Sequence, residues 1–384
     1  MLREDNFFKN YFINKKNYNK NIKKTNFFFN SLLEDFKNYK IPLFDSFEKD
    51  YKFDFSHRTI KKFSKYKNII IIGMGGSILG TKCIYSFFKK KIKKEVFFFY
   101  NLEPSLHLKL KKIKNLKNSC FIVISKSGNT LETITNLNII FSKVLLKKKI
   151  VIITELKDSN LIKIGNQLNA EIIEHKKFIV GRYSVLSEVG MFPAALMNLN
   201  IKKFKNLKKI INNKKFISSL IKSVASIYTL SQQGIKNSVI LNYDPGLNDL
   251  CLWHQQLVAE SLGKNGKGIT PSISTCPKDH HSVMQLYLDG PKDKFFTFFS
   301  SQTNKSKKIE SVINAQCKAT KSIFKKRKIP NRQFVFKKNN ENELGSIFTF
   351  FFLETILLAR LMKVNPYNQP AVEQIKTETK KYLK

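Results

Sequence analysis

From residue 68 onward the chain alternates between short continuous apolar runs and longer amphipathic stretches. Residues 68–73 read NIIIIG, and residues 96–100, 120–125 and 149–154 are runs of the same kind. Between them, residues 77–90, 131–146 and 159–168 carry apolar positions at helical spacing. A strand buried on both faces need not alternate apolar with polar. This pattern therefore predicts an α/β unit whose parallel sheet is covered by helices on both sides. A second series follows, with helices over 216–233 and 248–262 and strands over 237–243, 294–300 and 332–336. Helices over 345–362 and 371–383 close the chain, separated by Asn365 and Pro366. The expected organisation is a helical N-terminal arm (1–60), a first doubly wound domain (61–199), a Lys/Asn-rich connection (200–215), and a second doubly wound domain with a C-terminal helix (216–384).

Composition changes this picture little. The 384 residues carry 69 Lys+Arg against 28 Asp+Glu, a formal net charge of +41. Such an excess invites a nucleic-acid or membrane-surface reading. However, only six of the basic residues are arginines (Arg3, Arg58, Arg182, Arg327, Arg332 and Arg360), and the lysines are spread along the whole chain. Base reading favours arginine forks, and a co-enrichment of Lys, Asn, Ile and Phe fits codon bias. No specific nucleic-acid partner is expected, although the charge can steer small anions. Five widely spaced cysteines without a C-x-x-C pair suggest reduced thiols in the cytoplasm. No leader-like apolar segment opens the sequence. The most apolar stretch, 345–359, is short and contains Glu354, so it reads as a core helix and not a membrane span.

Two loops follow predicted strands, where doubly wound folds bind ligands. The first is Gly73-Met74-Gly75-Gly76-Ser77, whose glycines permit close backbone approach before a helix start. The third glycine of a dinucleotide fingerprint is missing, and no acid ends the next strand. The second loop, residues 125–133 (SKSGNTLET), offers Ser125, Lys126, Ser127, Thr130 and Thr133 around a helix N-terminus. An N-cap explains one or two hydroxyls. Four suit a phosphate monoester.

These loops resemble the sugar-isomerase (SIS) domain, a flavodoxin-like phosphosugar-binding unit, and within it the glucose-6-phosphate isomerase family. The resemblance runs from about residue 68 to the C-terminus. It implies a small sugar-phosphate substrate held by Gly76, Ser77, Ser125, Lys126, Ser127, Thr130 and Thr133. Residues 256–264 (QLVAESLGK) match the family's Q-x-x-x-E-S-x-G-K segment, which implies Glu260 as catalytic base with Gln256 on the same helix face. Gly181-Arg182-Tyr183-Ser184 is similar to its G-G-R-[FY]-S signature, with Val180 in place of the first glycine and Glu188 where a small residue is common. It implies Arg182 as the cation that stabilises an enediolate, a role suited to a planar fork. His281 precedes Gln285 by four residues, as the family's ring-opening histidine does, and His280 lies beside it. Residues 367–376 (YNQPAVEQIK) fill every specified position of the second family signature, which implies Gln369 at the substrate and Lys376 assisting ring opening.

The family's histidine comes from the neighbouring subunit, so a homodimer with shared active sites is implied. No metal or cofactor is implied, since the histidines show no ligand spacing. The expected activity is glucose 6-phosphate and fructose 6-phosphate isomerisation through a cis-enediol. A broader phosphosugar isomerase, accepting mannose 6-phosphate, and a non-catalytic phosphosugar sensor share the S-x-S-G-x-T loop.

Overall fold

The computed structural model describes residue 8 and residues 15–142, 149–302 and 308–383. Helices α1 (Lys15–Lys37) and α2 (His57–Ser64) lead into β1 (Asn68–Gly73), α3 (Leu79–Phe88), β2 (Glu95–Phe99), α4 (Leu106–Lys111), β3 (Ser119–Ile124), α5 (Leu131–Phe141), β4 (Ile150–Thr154), α6 (Asn160–Leu168) and β5 (Glu171–Glu174). A 3₁₀ turn (Gly181–Leu186) and α7 (Glu188–Leu196) follow, then a 3₁₀ turn (Ile201–Phe204), α8 (Leu207–Ile211) and α9 (Lys214–Gln232). The second series is β6 (Asn237–Asn242), α10 (Asn248–Leu262), β7 (Thr270–Thr275), α11 (Met284–Asp289), β8 (Lys294–Ser301), α12 (Lys308–Lys326), β9 (Asn331–Phe336), α13 (Glu341–Met362) and α14 (Pro370–Tyr382).

Both sheets are wholly parallel. The first has the order β2-β1-β3-β4-β5 and the second β7-β6-β8-β9. The second thus repeats the first four positions of the first, in the flavodoxin-like order. Central strands β1, β3 and β4 are buried along their entire lengths, which accounts for their unbroken aliphatic runs.

The edges are different. β5 reads EIIE, and β7 reads TPSIST with only Ser274 fully buried. Neither has an apolar run, and the hydrophobic pattern predicts neither. An edge strand needs a ladder on one side only and tolerates proline. Helix α12 also lies outside the predicted elements. It buries only Cys317, Thr320 and Phe324 under a lysine-rich face. The helix expected over 131–146 is observed to Phe141, and its last residues, 143–146, lie outside the described ones.

The N-terminal arm is fixed by polar contacts. Asn21 Nδ2 donates to Thr229 Oγ1 (2.9 Å) and Gln232 Oε1 (2.8 Å) on α9, and Arg360 Nη2 donates to Asp35 Oδ2 (2.6 Å). Helix α13 is long and apolar enough to cross a membrane, yet 89% of its most apolar window is buried inside the protein. Glu354 within it is paired with Arg332 and accepts from Ser223 Oγ (2.8 Å). A buried carboxylate so compensated belongs to a protein core. Helix α14 has the opposite character, since none of its 13 residues is buried.

Candidate active site

Strand β1 delivers the first glycine loop into a short 3₁₀ turn, Gly75–Ser77. Gly75 has φ +51°, and a β-carbon there would lie 2.8 Å from Gln256 Nε2. A β-carbon on Gly76 would lie 2.2 Å from the main-chain carbon of Gly181. Only glycine permits this approach, which brings the loop against both α10 and the Arg182 turn. Ser184 Oγ reinforces it by donating to Gly76 O (3.3 Å), and Ser77 is buried in the same turn.

In the second loop, Ser125 Oγ lies 2.8 Å from Thr130 Oγ1, and Ser127 Oγ accepts from Asn129 N (3.2 Å). Thr130 occupies the N-cap position of α5, but its hydroxyl makes no capping bond. The buried Thr133 Oγ1 has no partner. Helix capping therefore leaves these hydroxyls unspent. Lys126 turns aside, donating from Nζ to Lys177 O (2.8 Å) with Glu155 Oε1 3.7 Å away. Burial holds its ammonium below the ordinary lysine pKa, against the opposing charge of Glu155.

Arg182 is the hub of the site. It is 1% exposed, and its fork is fully engaged. Nε donates to Ser261 Oγ (2.8 Å). Nη1 donates to Glu260 Oε2 (3.1 Å) and Gln369 Oε1 (2.7 Å). Nη2 donates to Asn368 O (3.1 Å) and to Pro366 O. The other oxygen of Glu260 accepts from Gln256 Nε2 (2.9 Å), one helical turn back on α10. The Glu260 side chain stays about one-third exposed. A carboxylate able to take a proton, beside a cation able to stabilise an oxyanion, thus abuts the Gly75–Gly76 loop.

The departures from the family signature are accommodated locally. Glu188 is fully buried, accepting from Tyr51 Oη at 3.0 Å through both oxygens and from Asp54 N at 3.2 Å. Burial raises its pKa. The Lys205 ammonium, also fully buried, lies against the rings of Tyr51 (4.1 Å) and Phe53 (4.0 Å). Desolvation, opposed first by Glu188, pushes its pKa down to about 7. The connection expected over 200–215 is thus partly core.

Two expected residues are not brought to this cluster. His281 is exposed, in the turn that follows the carboxyl end of β7, whereas Glu260 lies in the last turn of α10, the helix that precedes that strand. Six residues of β7 lie between, spanning about 20 Å. His280, its neighbour, is engaged, with Nε2 2.7 Å from Tyr243 Oη. Lys376 is exposed on α14 and pairs with Glu373 at 2.6 Å.

Other residues emerge only in three dimensions. Ser261 anchors both Arg182 and Tyr183 Oη (3.1 Å). Lys264 Nζ donates to the carbonyls of Glu260 (2.6 Å) and Ser261 (2.8 Å). Burial, with Arg182 adding to it, pushes the Lys264 pKa down to about 8. Both lie within the matched QLVAESLGK segment, which is the available signal. Glu155 and His175 beside Lys126 carry no sequence signal. His175 Nε2 is buried without a partner, and burial, aided by Lys126, holds its pKa down to about 4.

Comparison with known proteins bears on the family. The profile of the family described as phosphoglucose isomerase matches residues 52–299. The chain is 33% identical over 341 residues to a glucose-6-phosphate isomerase of Methanocaldococcus jannaschii, covering 82% of this chain and 84% of that protein. It is 31% identical over 359 residues to one from Mycoplasmopsis synoviae, covering 81% of each. Among solved structures, a hypothetical protein from Thermus thermophilus superimposes with a TM-score of 0.85 over 100% of both chains at 21% identity. A glucose-6-phosphate isomerase from Chlamydia trachomatis gives 0.70 at 18% identity, covering 85% of this chain and 71% of that one. The fold, the hydroxyl-rich loops and the extent of these matches lead to one conclusion: the chain belongs to the phosphoglucose isomerase family.

Proposed function

We propose that this member of the family interconverts glucose 6-phosphate and fructose 6-phosphate, with Glu260 moving one proton between neighbouring carbons. The observation that carries the reading is the contact of Arg182 with Glu260 beside the Gly75–Gly76 loop. The sugar phosphate is held by Gly76, Ser77, Ser125, Ser127, Thr130 and Thr133. Glu260 takes the C2 proton of the open aldose, leaving the cis-enediol in its ionised form with the charge on O1. The O2 proton passes to O1, and Glu260 returns its proton to C1 as the C2 carbonyl forms. Arg182 stabilises the negative charge on the oxygen during both transfers. Gln256 and Gln369, bonded to the two reacting groups, orient them toward the substrate.

Ring opening falls to His281 and Lys376, which act from outside the cluster. The separation of His281 from Glu260 across β7 supports its delivery from a second copy, as His281 of the partner subunit. Helix α14, with Val372 and Ile375 in solvent, supports a homodimer that covers it. The five unpaired, buried cysteines support a cytoplasmic enzyme.

The test is a coupled assay in which glucose 6-phosphate formed from fructose 6-phosphate is oxidised by an added dehydrogenase. Steady formation by purified protein is expected. No formation at any substrate concentration, with folding verified, removes the proposed activity.

A further inference from the structure

Lys126 is the one cation inside the hydroxyl loop, and its surroundings set up a competition. Its main chain is pinned, because Glu155 N donates to Lys126 O at 3.1 Å and Thr154 Oγ1 to the same oxygen at 3.4 Å. Only the side chain can change partners, and its ammonium now donates to Lys177 O at 2.8 Å. One oxygen of Glu155 lies 3.7 Å from Lys126 Nζ, and the other pairs with Lys157. The Glu155 side chain is 13% exposed, so its charge is poorly screened. The buried His175 lies beside the pair and contributes no counter-charge when neutral.

We propose that Glu155 is a positioning residue that competes with the substrate's phosphate for the Lys126 ammonium, and so sets how tightly the loop holds a phosphate. This rests on the phosphate reading of the loop. A dianion seated among Ser125, Ser127 and Thr130 draws Lys126 toward itself, and every such move gives up the Glu155 contact along with the bond to Lys177 O, which a change at Glu155 leaves in place. The carboxylate therefore subtracts from phosphate affinity without touching the reacting carbons.

The test uses inorganic phosphate as probe, titrated calorimetrically into the full-length protein at low salt. Glu155→Gln should bind phosphate about threefold to fivefold more tightly than the parent. The KM for fructose 6-phosphate should fall in step while kcat stays within about twofold. In a Lys126→Met background the same Gln substitution should move phosphate affinity by less than about twofold. Glu155→Asp, which shortens the reach to Lys126, should shift affinity in the same direction and serves if Gln impairs folding. Equal or weaker phosphate binding by Glu155→Gln, or an undiminished gain without Lys126, overturns the proposal while leaving the loop reading intact. Absence of phosphate binding by parent and variants alike, with turnover retained, removes both.

Discussion

Arg182 Nη1 and Glu260 Oε2 lie 3.1 Å apart although 78 residues separate them in the chain. The guanidinium is buried, and the carboxylate is partly open to solvent. That asymmetry suits their proposed roles, since a proton carrier must reach substrate whereas a charge stabiliser works best where water is excluded.

Replacing Glu260 by Gln keeps the shape and removes the base. Turnover in the coupled assay should fall by at least about a thousandfold. Calorimetric affinity for inorganic phosphate should change by less than about twofold, because the phosphate loop is untouched. Near-normal turnover would assign the proton transfer elsewhere.

Thr133 offers a test that separates binding from folding. Its hydroxyl is buried and unpartnered, so Thr133→Val removes a polar atom that costs desolvation energy in the free protein. Thermal stability should hold or rise. The KM for fructose 6-phosphate should rise about tenfold, since a hydrogen bond to a charged phosphate is lost.

Lys205 gives a stability signature with a defined sign. Its pKa is about 7 in the folded protein, below the ordinary lysine value. Between these two values the unfolded chain binds more protons, so this group adds stability as pH rises through that window. Lys205→Met removes the effect. Measured by thermal unfolding, the variant's advantage over the parent should be greatest below about pH 7 and shrink steadily towards about pH 10. A difference independent of pH would mean that Lys205 does not titrate in this window.

Subunit sharing can be tested by complementation. Glu260→Gln and His281→Ala homodimers should each be nearly inactive. After mixed refolding, a heterodimer carries one site with both residues intact, so about a quarter of parental activity should return. Activity no higher than the average of the two variants would place His281 with Glu260 of its own chain.

Sequence legibility followed burial. Strands β1, β3 and β4 declared themselves because water reaches neither face, and the loops that follow β1 and β3 were located by those runs. Strands β5 and β7 did not, because an edge strand can carry Glu171, Glu174 or Pro271 without exposing an unsatisfied ladder. The Arg182–Glu260–Gln369 meeting was legible only through motif resemblance. Residue spacing cannot reveal a contact formed by three distant segments. Lys205 misled in the other direction. A lysine among Lys and Asn reads as solvated linker, and nothing local announces that Tyr51 and Phe53, far earlier in the chain, pack against its ammonium.

The close approach of Gly76 to Gly181 has a consequence for which molecules can react. With no side chain between them, the proposed grip on one end of a ligand and the proposed machinery at the other become a single gauge of molecular length. A shorter phosphorylated sugar could be seized as firmly and still leave its carbonyl short of the carboxylate. Selectivity is then exerted on turnover more than on capture.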